Sequence, residues 1–327
     1  MKRAKSRPRV AILGCGHVGR ALAVELLDTK RRPAPFRGEL RVWSRSPRSL
    51  ERLRKLLEPQ TRRPWQVASS ADEALAWADV VLVCLADEAI APLARRLAEN
   101  DRAIHRQVVL MTNGYLPLSS LGRLRRRGCA VGRLHPLAPV PTDRELNALC
   151  MAAYALEGDA RAVRSAKELV GNMQGLVLLL GRRRGSAQTY HAGASLLSGG
   201  IVALFHLAER VMSRSVSSRA ALRDALDDFA EKTLDNIYAC GPREALTGAL
   251  SRGSESLVRG HLQSLRKVPE ALALYRLLGG TMLELAHARG SIDTRELRRL
   301  GALLGRRRDS KSDAGSRRLG RLRRRSG

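Results

Sequence analysis

Three glycines open the chemistry available to this chain. Residues 10–19 read Val-Ala-Ile-Leu-Gly-Cys-Gly-His-Val-Gly, and an apolar run follows at 21–27. Strand, glycine turn and helix in that order form the context in which G-x-G-x-x-G binds a dinucleotide. Gly14 takes the tight turn, Gly16 admits a pyrophosphate against the backbone, and Gly19 lets the helix pack close to the strand. The turn Gly14, Cys15, Gly16, His17, Val18, Gly19 would then face the phosphates with the positive end of a helix. The next predicted strand ends in Ser44-Arg45-Ser46-Pro47-Arg48. An acidic residue there would hold the ribose hydroxyl of NAD, and none is present. Hydroxyls flanking a guanidinium suit a 2′-phosphate, so NADP is expected over NAD.

A proton-transferring group is the second requirement of hydride chemistry. His135 follows a strand predicted at 129–134 and precedes Pro136, where it could donate a proton or orient a substrate. On a long predicted helix, His191, Ser195 and Ser198 recur at i, i+4 and i+7 and share one face. With Gly193, Gly199 and Gly200 nearby, that face reads as cleft lining or as a tight helix seam. Arg252, ahead of a helix starting near Ser254, could clamp a substrate carboxylate or serve as a surface ion pair. Asn113 stands at the carboxyl end of a strand predicted at 107–111 and is placed beside the cofactor. His261 and Tyr275 are expected at the edge of a core. The five cysteines are scattered without C-x-x-C spacing, so reduced thiols and no metal are expected.

The elements that must position these groups alternate. Strands are predicted at 39–43, 65–68, 79–84, 107–111, 129–134, 151–156 and 175–180. Helices are predicted at 47–58, 70–77, 87–99 and 159–171, and a Pro- and Arg-rich loop at 30–38. This is the pattern of an α/β, Rossmann-like, doubly wound parallel sheet, whose ligands sit at the carboxyl ends of the strands. From about 186 the pattern becomes helical throughout: 187–213, 218–239, 254–267, 269–289 and 293–304. The expected organisation is an α/β domain at 8–182, a helical domain at 183–304 and a basic tail at 305–327 that reads as disordered.

With 327 residues, 44% of them hydrophobic but only 3% aromatic, the chain can fill two aliphatic cores. No signal-like segment is expected, and no apolar run reaches the roughly 20 residues of a membrane span. The protein is therefore expected in the cytoplasm. Of the net charge of +28, the two ends carry +13, with five basic residues within 1–9 and ten facing two acidic ones between 306 and 325, and the body carries +15. Such a tail can hold polyanions. The remaining basic residues lack interleaved aromatics and any nucleic-acid module.

Four stretches carry a family resemblance: Gly14–Gly19, His135-Pro136-Leu137, Tyr190-His191-Ala192, and the segment 236–253, Asn-Ile-Tyr-Ala-Cys-Gly-Pro-Arg-Glu-Ala-Leu-Thr-Gly-Ala-Leu-Ser-Arg-Gly. In these the chain resembles the Rossmann-like proteins that contain a DUF2520 domain. Their relatives include pyrroline-5-carboxylate reductase, coenzyme F420-dependent NADP reductase and 6-phosphogluconate dehydrogenase. The resemblance spans about residues 8–290. It implies an NAD(P)-binding domain, an all-helical domain of the 6-phosphogluconate dehydrogenase type, and a homodimer formed through that helical domain. The chain departs from the pattern at Met111-Thr112-Asn113-Gly114, at Ser198-Gly199, at Ala249 and at Ser254.

The expectation from sequence is thus an NADP-dependent oxidoreductase that reduces C=O or C=N in a small anionic metabolite. Two alternatives stand beside it: a non-catalytic NADP-binding sensor or assembly protein, and a nucleic-acid-associated protein using its tail. Truncation after Gly305 is expected to leave the melting temperature and NADPH affinity unchanged and to weaken salt-sensitive polyanion binding. A large loss of thermal stability would show that the tail is part of the fold.

Overall fold

A computed structural model describes residues 8–27, 36, 38–58, 61, 64–99, 106–140, 148–181, 183 and 185–305. The tail at 306–327 and most of the 30–38 loop lie outside these. Two compact units emerge, Met1–Ser198 and Gly199–Gly327. The division falls inside a long helix, whereas the expected domain boundary lies at 182/183.

The first unit runs β1 (Arg9–Leu13), α1 (His17–Leu27), β2 (Glu39–Trp43), α2 (Pro47–Leu57), β3 (Trp65–Val67), α3 (Ala71–Trp77), β4 (Val80–Val83), α4 (Asp87–Ala98) and β5 (Val108–Met111). A 3₁₀ turn (Leu118–Leu121), α5 (Gly122–Arg126), β6 (Ala130–Leu137), β7 (Ala153–Gly158), α6 (Ala160–Asn172) and β8 (Leu176–Leu179) follow. The strands form one sheet in the order β3-β2-β1-β4-β5-β6-β7-β8. Its first six strands are parallel, as expected, and β7 runs antiparallel to β6.

Strand periodicity separates two cores. Val10, Ile12, Val80, Leu82, Val108 and Leu110 face one side with residues of α1, α2 and α6. Ala11, Leu13, Val81, Val83, Val109 and Met111 face the other with residues of α3, α4 and α5. Successive strand residues point to opposite faces, so continuous apolar strands require helices on both sides.

Two strand ends differ from expectation. β6 extends through His135, Pro136 and Leu137, because β7 pairs with it residue by residue: His135 with Ala155 and Pro136 with Tyr154. β7 starts at Ala153, not 151, since Met151 adopts a positive φ of 52° that breaks the extended backbone.

Helices make up most of the remainder: α7 (Ser186–Met212), which crosses the division, α8 (Arg219–Ala245), α9 (Glu255–Ser264), α10 (Pro269–Arg289) and α11 (Thr294–Leu303). α8 continues beyond 239 across a kink at Gly241 (φ 77°), next to Pro242. Asp293 and Glu296 form a reciprocal cap on α11, and Leu250, Val258, Leu283, Ala286, Ile292 and Leu300 form the second unit's core.

By length and composition α7 could cross a membrane, with a mean hydropathy of 1.4 over its most apolar window. This corrects the expectation that no run reaches that length. Interspersed Gly, Ser and His hide a stretch with no Asp, Glu, Lys or Arg from Ser186 to Ala208.

The first unit is tightly packed at its first turn. Gly14 has φ 106° and sits against the Cys84 carbonyl, and a Cβ on Gly19 would run into the Gly14 carbonyl oxygen. Gly19→Ala is expected to cost about 1–3 kcal/mol, as overpacked positions do. Urea unfolding followed by circular dichroism checks this; an unchanged midpoint would contradict the packing described.

Candidate functional site

At the carboxyl edge of the sheet, the turn after β1 leads into α1. Gly16 is exposed there, and nothing lies within 4 Å of where its Cβ would be. That is the open approach a pyrophosphate needs at a helix N-terminus. Cys15 turns inward, and its thiol donates to the Ser49 carbonyl at 3.3 Å. Only its backbone is left to meet a ligand. His17 shares a 3.0 Å contact with Arg20 Nη2, and Val18 packs on the core.

At the end of β2, Ser44 accepts from the Ser46 amide at 3.2 Å, and Ser46 caps α2 by accepting from the Ser49 amide at 3.3 Å. Both serines therefore shape the turn. Arg45 and Arg48 are exposed and form no ion pair among the described residues.

Past β5 the chain turns through Asn113, Gly114 and Tyr115. Asn113 builds that turn itself: its Oδ1 accepts from the Tyr115 amide at 2.8 Å and the Leu116 amide at 2.5 Å. Its Nδ2 donates to Asp87 at 2.5 Å. Side-chain amides that satisfy nearby backbone in this way define tight turns. In this arrangement the Asn113 side chain is engaged with the protein.

The turn meets β6 and the start of α7, all within the first unit. Tyr190 Oη and His135 Nδ1 share a hydrogen bond of 2.9 Å. The His135 and His191 rings lie 5.7 Å apart, and Tyr115 is edge-on to His191 at 6.0 Å. A Cβ on Gly114 would come within 2.8 Å of His135 Nε2 and would strike His191. Gln188 donates to the Tyr115 carbonyl at 2.8 Å. Beneath the cluster lies Arg133, fully buried, paired with Glu157 at 2.9 Å and donating to the carbonyls of Asn113 and Leu116.

Burial sets the charge state here. It pushes His135 down from 6.5 to about 4, aided by neighbouring His191 and Arg133, so the ring is neutral at pH 7. Burial also raises Tyr190 above its ordinary value of 10.0, so its hydroxyl keeps its proton.

Sequence reasoning therefore placed His135 and His191 in a group that the fold does assemble. It missed Tyr190 as a polar partner, together with Gly114, Tyr115 and Arg133. Tyr190 is adjacent to His191, and Arg133 shares a strand face with His135; those spacings were the available signals. Ser195 is exposed one turn along α7 from His191, with Ser198 beyond it. Arg252 belongs to the second unit, its side chain exposed on a turn before α9 whose residues 249–251 are buried. There Arg289 holds the preceding segment, donating to the Leu246 carbonyl at 2.8 Å and to Ser251. His261 and Tyr275 pair at 3.0 Å.

Residues 9–114 match the family model described as NADP oxidoreductase, coenzyme F420-dependent, and residues 152–282 match domain of unknown function DUF2520. The chain joins an NADP-oxidoreductase-type domain to a DUF2520 domain. That makes it an oxidoreductase of the NAD(P)-dependent kind, with a nicotinamide cofactor. No curated protein matches the sequence.

Among solved structures, a protein from Thermotoga maritima is similar, with 21% identity and a TM-score of 0.62 over 86% of this chain and 99% of that one. A pyrroline-5-carboxylate reductase from Coxiella burnetii shares 14% identity, with a TM-score of 0.57 over 87% and 98%. A reductive aminase from Aspergillus terreus, in complex with NADPH and ethyl-5-oxohexanoate, shares 17%, with a TM-score of 0.53 over 92% and 93%. At these identities the likeness shows the fold.

The depressed His135 predicts an acid-sensitive fold. Between pH 6.5 and about 4 the unfolded chain binds a proton on this ring that the folded chain does not. Its contribution to stability is whole above 6.5 and is lost as pH falls through that window. Urea midpoints at pH 8, 6 and 4.5 should fall less steeply for His135→Gln than for the natural chain. Parallel slopes would contradict the assignment.

Proposed function

We infer that this chain reduces a C=O or C=N bond of a small anionic metabolite, using NADP in preference to NAD. The observation that carries the reading is the Tyr190–His135 pair, neutral and partly buried at the carboxyl edge of a dinucleotide-type sheet. Bound there, the nicotinamide would supply the hydride. Gly14, Gly16 and Gly19 with the start of α1 would hold the pyrophosphate, and Arg45, with Arg48, the 2′-phosphate.

Reduction also consumes a proton, and this chain's residues deliver it. Tyr190 keeps its hydroxyl proton at neutral pH and gives it to the substrate heteroatom; solvent restores it. Neutral His135, in its Nδ1–H form, donates to Tyr190 Oη and steadies the developing phenolate. Such positioned proton transfer contributes about 10²–10⁴-fold. His191 and Ser195, on the same face of α7, orient the substrate.

A homodimer in the cytoplasm completes the proposal. Within the second unit, apolar residues on α7 and α8 lie open, Val202 at 69% and Tyr238 at 94% exposure among them. Open apolar side chains of this kind suit an association surface, which a second copy would cover through the helical domains.

Titration of NADPH and NADH against the natural chain and Arg45→Ala tests the cofactor preference. NADPH is expected to bind more tightly, and the substitution to weaken it about tenfold or more, as loss of a charged hydrogen bond does. Equal affinities, unmoved by the substitution, would refute it. On a substrate found by screening ketones and imines that carry a carboxylate, Tyr190→Phe should cut turnover about 10²-fold or more and leave cofactor affinity intact. Full activity in Tyr190→Phe would place the proton source elsewhere.

A further inference from the structure

Arg133 lies on β6 two residues before His135, on the same face of the strand. Its side chain is 0% exposed. A guanidinium survives such burial only where its charge and its donors are met. One side meets Glu157 of β7, with both Nε and Nη2 at 2.9 Å from Oε1. Nη1 donates to the Asn113 carbonyl and Nη2 to the Leu116 carbonyl. Those two carbonyls bracket Gly114 and Tyr115.

The same short segment is held at two further points. Asn113 accepts from the amides of Tyr115 and Leu116, and Gln188 donates to the Tyr115 carbonyl. From this position Gly114 abuts the His135 and His191 rings so closely that a Cβ would not fit, and Tyr115 meets the edge of His191. The placement of both histidines against the loop thus leads back to one buried cation.

We propose that Arg133 is a positioning residue: its guanidinium sets the depth of the Asn113–Leu116 loop and thereby packs Gly114 and Tyr115 onto His135 and His191. Arginine suits the task because its planar fork serves a carboxylate and two carbonyls in separate directions at once. Lysine offers a single compact ammonium on a flexible stem. Tyr190, His191 and Arg133 are the polar groups that face His135. Loosening the loop would hydrate the ring, and removing the cation would relieve a like charge; both favour its protonation.

This inference rests on the proposed function only for the importance of these rings; the loop's placement is testable without a substrate. Arg133→Met and Arg133→Lys are made in the full chain and examined by NMR with the natural protein. Contacts between Gly114 and the two histidine rings are expected to weaken severalfold or vanish in both variants. The His135 midpoint should rise by a unit or more in Arg133→Met and by less in Arg133→Lys, with the protection of core amides in β1 and β4 unchanged. If the Gly114 contacts and the His135 midpoint persist in a folded variant, Arg133 does not position the loop. Should Arg133→Met fail to fold, Arg133→Lys decides alone, and retained contacts there overturn the proposal. NADPH added to the natural protein gives a separate readout. Unmoved His135 and His191 signals would count against the proposed function and leave the role of Arg133 standing.

Discussion

Gly19 lies so near the Gly14 carbonyl that no side chain fits between them, and the carboxyl edge of the sheet is arranged from that contact. The missing side chain lets α1 come down onto β1, while Cys84, just past β4, lies against the other side of the turn. The helix start is thereby aimed across the strand ends, with Gly16 left open. In a parallel sheet, the strand ends on either side of the order reversal are where a ligand can lie. Here the reversal falls between β1 and β4. Glycine excludes bulk again at Gly114, this time to admit two imidazole rings.

Around those rings the protein removes water and answers the polar groups it buries. Arg133 keeps company with Glu157 and two carbonyls, Asn113 spends its side chain on the turn and Asp87, and Tyr190 meets His135. The result is an uncharged Tyr–His pair beside a buried ion pair. Burial favours the neutral form of each member of the Tyr–His pair, so the phenol keeps its proton. The charge that must be buried is confined to the strand floor, where hydrogen bonds compensate it.

In the second unit the segment 243–251 is organised by an arginine from the last turn of α10, whose donors gather the carbonyls of Arg243, Glu244 and Leu246. Gly248 and Gly253 supply positive φ on either side of Arg252. Arg289 thus acts on the second unit much as Arg133 acts on the first: one planar fork satisfies several carbonyls that local structure leaves unpaired.

Local pattern alone determined a good deal. The continuous apolar strands, the glycine spacing at 14, 16 and 19 and the amphipathic helices specify an α/β sheet, the tight turn after its first strand and the all-helical run after 186. These are short-range signals, written in periodicity and in residues that alone tolerate a given backbone. Strand limits at β6 and β7 escaped it, because pairing between the two strands carries β6 through Pro136 while a positive φ at Met151 delays β7. The site itself was half legible. His135 and His191 stood out by type, but Tyr190, Tyr115 and Arg133 are ordinary residues until long-range packing brings strand, loop and helix together. The charge state of His135 was likewise decided only by burial. An imidazole's protonation depends on what surrounds it, and more than fifty residues of chain separate His135 from Tyr190 and His191.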